Sequence, residues 1–144
     1  MEKNIKIEKV YDYNINTIWK ALTNREIINE WFMKNDFEPT MGHQFTFTDK
    51  PKFGWDGIVY CKVLEIDEPY TLSYSWRGNN KKGTIETVVK FSLKEDNNKT
   101  ILSLEHTGFK GVNGVFVSTI LNAGWNKILS KKLDNIIEKI DSSK

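Results

Sequence analysis

The sequence predicts an α+β helix-grip fold. Its curved antiparallel sheet has about six strands, two short helices follow the first strand, and a long C-terminal helix packs across the sheet. Three observations predict it. Hydropathy alternates with period two in successive segments between residues 43 and 106, short polar or glycine-bearing turns separate those segments, and the C-terminal segment carries apolar residues at three- and four-residue steps. Strands joined by short turns pair antiparallel, and a single amphipathic helix can cover one face of such a sheet.

The elements follow in order. Ile5, Ile7, Lys9 and Tyr11 alternate with Lys6, Glu8, Val10 and Asp12 in a first strand. Asn14 or Asn16 can cap a helix carrying Ile18, Trp19 and Leu22, and Thr23-Asn24-Arg25-Glu26 has capping-box spacing that restarts a second helix through Ile27, Ile28 and Trp31. Residues 33–41, with Pro39 and nearby Gly42, predict an irregular connection. Phe45 and Phe47 share one face of the second strand, which ends at Asp49-Lys50-Pro51-Lys52. A third strand runs from Trp55 to Ile66, Pro69 sits in the next turn, and in the fourth strand Leu72, Tyr74 and Trp76 alternate with Ser73, Ser75 and Arg77. Gly78 to Gly83 predicts a hairpin connection. Thr87, Val89, Phe91 and Leu93 face inward on the fifth strand, as do Thr100, Leu102, Leu104 and His106 on the sixth. Gly108, Gly111 and Gly114 mark a loop better suited to a hinge than to a phosphate cradle, after which Val117 to Ile140 form the long helix. About 25 residues at ~1.5 Å each span about 38 Å, comparable to strands of about ten residues.

Composition narrows the function classes. The 144 residues suit one domain, 1–144, with 39% hydrophobic and 28% charged residues, as in ordinary globular proteins. A net charge of +2 with scattered lysines argues against nucleic acid as a partner, and Lys81-Lys82 and Lys131-Lys132 read as solvated surface. The single cysteine, Cys61, precludes an internal disulfide or a CxxC site and fits a reducing compartment. No apolar signal core opens the chain and no 18-residue apolar run occurs, so membrane insertion is not expected and a cytoplasmic location is. The aromatic share is high at 12%, and rings either fill a core or line a cavity.

Several segments carry a resemblance that spans nearly the whole chain. They are Asn16-Thr17-Ile18-Trp19-Lys20-Ala21-Leu22-Thr23-Asn24 with Trp31-Phe32, Gly57 through Glu65, Leu72-Ser73-Tyr74-Ser75-Trp76, Thr100 through Phe109, and Gly124-Trp125. In this order and spacing they resemble the START-like (SRPBCC) superfamily, which includes the Bet v allergens. Within it they resemble specifically the bacterial relatives of the activator of the 90-kDa heat-shock protein ATPase. The resemblance implies the helix-grip fold and a small hydrophobic ligand, lipid-like or planar aromatic, in a cavity between sheet and helix. Alternatives implied by the same superfamily are a polyketide cyclase or hydrolase-like enzyme, and a cochaperone-like interaction module of a stress response. A chaperone or a second copy of the chain is then a further candidate partner. In the family the loop after the second strand and the loop before the long helix border the entrance, which corresponds here to Phe53, Trp55, Phe109, Val115 and Phe116.

The candidate ligand-binding residues are therefore Trp31, Phe45, Phe47, Phe53, Trp55, Tyr74, Trp76, Phe91, His106, Phe109, Phe116, Leu121 and Trp125. Each large ring would also serve a filled core. Imidazole at His106 can orient or protonate a ligand, or it can be a hydrogen-bonded core histidine. Tyr60, Tyr74 and Arg77 are further polar candidates. His43 and Cys61 lack a second ligand at metal spacing, so no metal and no cofactor is implied. Glu86 and Glu105 fall on the outward register, and Asp36 and Asp56 lie in or near loops. No catalytic acid and base face each other, which favours a non-enzymatic binder. A cavity of about 300 Å³ or more between sheet and helix is the structural requirement of that reading.

Overall fold

The computed structural model describes residues 2–52 and 54–142. Strand β1 (Glu2–Tyr11) buries Ile5, Ile7 and Tyr11 and leaves Val10 exposed, as its alternation requires. Helix α1 (Ile15–Thr23) starts at Asn14, whose side-chain carbonyl accepts the Asn16 N–H at 2.8 Å. Helix α2 (Arg25–Trp31) is capped by Asn24, whose Oδ1 accepts from the Ile27 N–H at 3.1 Å. The cap is thus one residue later than the capping-box pattern places it. Thr23 instead donates its hydroxyl to the Trp19 carbonyl at 2.8 Å and closes α1.

The sheet continues with β2 (Lys34–Asn35), β3 (Gln44–Thr48), β4 (Ile58–Asp67), β5 (Thr71–Asn80), β6 (Gly83–Asp96) and β7 (Lys99–Lys110). The order is β1-β7-β6-β5-β4-β3-β2 with every neighbouring pair antiparallel. It has seven strands rather than six because Lys34 and Asn35 pair with Thr48 and Phe47 inside the segment expected to be irregular. Two residues are too few to show a period. Strand β4 begins at Ile58, and Trp55 belongs to the preceding loop through a single bridge to Lys52. Gly57 closes that loop at φ +86°, where a Cβ would run into the Asp49 carbonyl oxygen, while the Asp49 N–H bonds the Gly57 carbonyl at 2.9 Å.

The glycine-rich segment after β7 is not a loop. Strand β7 continues to Lys110 and α3 (Gly111–Lys127) starts at once. Ile5 faces His106 but Lys3 faces Phe109, so β7 accommodates one extra residue around Gly108, whose φ is +100°. The bulge resets the alternation and turns Phe109 inward. Helix α3 then runs through a π turn (Ile128–Lys132) into α4 (Leu133–Ser142), making the helical span longer than expected. The Leu133 N–H closes on the Ile128 carbonyl, and the Tyr11 hydroxyl donates to the Leu129 carbonyl at 2.6 Å, giving the irregular turn an external hydrogen bond.

Trp125, Leu129, Leu133 and Ile137 press one side of this helical span into the core with α1 and the sheet. Along α3 itself only Gly114, Ser118 and Trp125 are buried. Helix α3 therefore packs incompletely over β4, β5 and β6, and space remains beneath it.

Candidate functional site

That space is a cavity of about 310 Å³ between α3 and the sheet. Its deep wall is aromatic. Phe32 stacks on Trp125 with centroids 5.0 Å apart, and Trp76 lies 6.0 Å from each of them. Val59 of β4 and Ile85 of β6 line it from the sheet, and Val117, Ile120, Leu121, Gly124 and Ile128 line it from the helix. Period two supplies the sheet side and three- and four-residue steps supply the helix side. The opening is bordered by Met33, Asp49, Lys52, Trp55, Asn79, Asn80, Phe116, Lys127 and Lys132. Trp55 is fixed there by its indole N–H, which donates to the Ile58 carbonyl at 3.0 Å. Asn80 and Asn113 exchange side-chain amide hydrogen bonds at 2.9 and 3.2 Å, tying the β5–β6 turn to the start of α3.

Among the predicted residues, Trp55, Trp76, Phe116, Leu121 and Trp125 line the cavity. Phe53 lies outside the described residues. Trp31, Phe45, Phe47, Tyr74 and Phe91 are buried and do not line it, and they form the aromatic layer behind its wall, with Phe47 edge-on to Phe32 at 4.8 Å, Phe91 edge-on to Trp125 at 6.0 Å and Phe45 edge-on to Tyr74 at 5.3 Å. The Trp31 indole is committed to the Ala21 carbonyl at 2.9 Å. Phe109, expected at the entrance, is fully buried 4.6 Å from the His106 ring because of the bulge. Tyr60 and Arg77 lie on the opposite face of the sheet, directly paired across β4 and β5, with the guanidinium 4.9 Å from the phenol ring. Their outward register was readable from the alternation of Arg77 with Trp76.

His106 is fully buried and does not line the cavity. Its Nδ1 accepts from the Trp125 indole N–H at 3.1 Å. The Nε2 must then carry the proton and donates to the Thr87 hydroxyl at 2.7 Å, which donates onward to the Trp76 carbonyl at 3.2 Å. Burial pushes the imidazole down to about 3 from its usual 6.5, so it is neutral at physiological pH. Its role is to fix the Trp125 ring at the base of the cavity. Burial likewise pushes the Cys61 thiol up, which keeps it a thiol rather than a nucleophilic thiolate.

Asp49 is the one carboxylate lining the cavity among the described residues, and it stands at the opening, 4.0 Å from Lys52. An inward acid–base pair is not formed there. Among the described residues no cluster of three or more His, Cys, Asp or Glu could hold a metal, and no helix is long and apolar enough to cross a membrane. His43, half-buried, is engaged by the Asp36 carbonyl at 2.9 Å.

Residues not predicted but present at the cavity include Phe32, Met33, Val59, Ile85, Val117, Ile120, Gly124, Ile128, Lys127 and Lys132. Gly124 carried a usable signal. A glycine inside an amphipathic helix costs about 1 kcal/mol relative to alanine and is unexplained by capping there. A Cβ at this position would meet no heavy atom within 4 Å, so no close packing demands it.

Sheet, paired short helices and gripping helix define a helix-grip protein of the START-like (SRPBCC) superfamily with a cavity beneath the helix. Within that class the chain belongs to the family described as Activator of Hsp90 ATPase homolog 1-like protein, whose model matches residues 12–138. Solved structures agree. Protein MLL2253 from Mesorhizobium loti is 29% identical with a TM-score of 0.85, covering 95% of this chain and 98% of that one. Protein BH1534 from Bacillus halodurans is 27% identical with a TM-score of 0.75, covering 94% and 96%. CalU16 from Micromonospora echinospora is 25% identical with a TM-score of 0.73, covering 94% and 76%. Comparison with curated proteins gives no significant match.

Proposed function

We propose that the protein binds a small hydrophobic ligand, lipid-like or planar aromatic, in the cavity between α3 and the sheet and performs no chemistry on it. The observation that carries this reading is Gly124. A residue that weakens its helix and leaves open space supports a cavity kept for an occupant rather than a packing defect. The wall chemistry agrees, with apolar and ring side chains around the interior and polar groups confined to the opening. At about 310 Å³ the cavity lies at the small end of the range for ligand sites, which suits one alkyl chain or one fused ring system. Among the described residues the cavity is lined by one carboxylate, Asp49 at its opening, with no base facing it, which supports the binding reading over the cyclase or hydrolase one. Native mass spectrometry with tetradecanol and with flavone tests the proposal. A 1:1 complex with at least one of them is expected, and failure of both to bind at 100 μM would refute it.

A further inference from the structure

The proposal above leaves the ligand's polar end unspecified, and the helix irregularity bears on it. In a regular α-helix, residues five apart point about 140° away from each other, because each residue turns the chain by about 100°. Lys127 and Lys132 are five apart, yet both line the same cavity. The π turn at Ile128–Lys132, closed by the Leu133 N–H on the Ile128 carbonyl, inserts the extra residue that removes most of that offset. The Tyr11 hydroxyl on the Leu129 carbonyl holds this turn in place from β1. Neither lysine has an acidic partner within 4.0 Å among the described residues, whereas Lys52 at the same opening is already opposite Asp49. Two lysines without an acidic partner among the described residues thus line an apolar cavity whose one carboxylate among the described residues, Asp49, already stands 4.0 Å from Lys52.

Resting on the ligand-binding reading, we infer that the ligand is an anionic amphiphile whose head group is taken by Lys127 and Lys132. Its carboxylate or phosphate monoester stays at the opening, and its apolar body lies against Trp76 and Trp125. Lysine suits this task as a mobile point charge that can follow either head group at a wet site. The π turn serves recognition by setting the two charges side by side.

The test compares tetradecanoate, tetradecyl phosphate and tetradecanol by isothermal titration calorimetry at low and at 300 mM salt, with the wild-type chain and with Lys127→Gln/Lys132→Gln. The wild type is expected to bind at least one anion tenfold or more tighter than the alcohol at low salt. That preference should shrink at 300 mM salt, and the double variant should lose it, its affinities for the anions and for tetradecanol becoming equal within about threefold. Whichever anion binds tighter identifies the head group. Equal binding of anions and alcohol, or a preference that persists in the double variant, overturns the inference and leaves the cavity reading standing. Failure of all three to bind overturns both. Both lysines are exposed, and circular dichroism verifies that the variant is folded.

Discussion

Replacing Gly124 by leucine should strengthen the fold and weaken the site together. Gly124 lies within α3, where leucine is favoured over glycine by about 0.8 kcal/mol from helix propensity alone. A Cβ there meets open space, so the added side chain enters the cavity instead of clashing. Partial burial against Trp125 and Ile128 adds about 0.5–1 kcal/mol, roughly a third of what full burial of a leucine yields. The sum, between 1 and 2 kcal/mol in order of magnitude, corresponds to a rise in Tm of about 3–7 °C for a chain of this size. The same side chain occupies space that about two methylenes of a ligand would fill, at ~0.8 kcal/mol each, so affinity for tetradecanol should fall about 15-fold. Gly124→Ala is the control, because it gains the helix propensity without reaching far into the space. It should raise Tm by a few degrees and leave affinity nearly unchanged. Differential scanning calorimetry and titration calorimetry on the three proteins decide the matter. Destabilisation by leucine would mean that the space is not open, and stabilisation with unchanged affinity would mean that ligand binds elsewhere.

Two further predictions concern the supports of the cavity. His106 is held down to about 3 by burial against an unfolded value near 6.5, so the unfolded chain takes up a proton that the folded chain refuses as pH falls. The stability is intact above pH 6.5 and declines at about 1.4 kcal/mol per pH unit below it, reaching a loss of about 2 kcal/mol at pH 5. Urea denaturation of wild type and His106→Gln at pH 7, 6 and 5 should show that component only in the wild type, and an equal slope in both would contradict it. Tyr11→Phe removes the hydroxyl that serves the Leu129 carbonyl in the π turn. Stability should drop by about 1–2 kcal/mol in urea denaturation, since that buried carbonyl loses its side-chain donor, and a change below 0.3 kcal/mol would show that water or backbone replaces the bond.

Much of the fold was legible because its signals are periodic. Strand faces carrying Phe45 and Phe47, Leu72, Tyr74 and Trp76, or Val89 and Phe91 are fixed by two-residue alternation, and burial agrees at each of these positions. The features missed are those without a period. Strand β2 is too short to alternate, the bulge near Gly108 shifts the register for reasons set by pairing with β1, and the π turn looks in sequence like any stretch of amphipathic helix. These local events decided the site. The bulge took Phe109 from the expected entrance into the core, and the π turn brought Lys132, read as plain surface, to the cavity edge. Ring count alone did not separate Trp76 and Trp125 at the cavity from Trp31 and Phe91 in the core, because aromatic residues are buried in either role.

The five tryptophans provide the most direct test of ligand binding beneath α3. Trp55, Trp76 and Trp125 line the cavity, whereas Trp19 donates its indole N–H to Glu68 at 3.0 Å and Trp31 donates to Ala21, both outside the cavity lining. Indole N–H resonances assigned by single Trp→Phe variants can be followed by 15N-edited NMR during titration with tetradecanoate. The account predicts saturable shifts at Trp55, Trp76 and Trp125 with Trp19 and Trp31 unmoved. No shift at the first three, or shifts largest at Trp19 and Trp31, would contradict it.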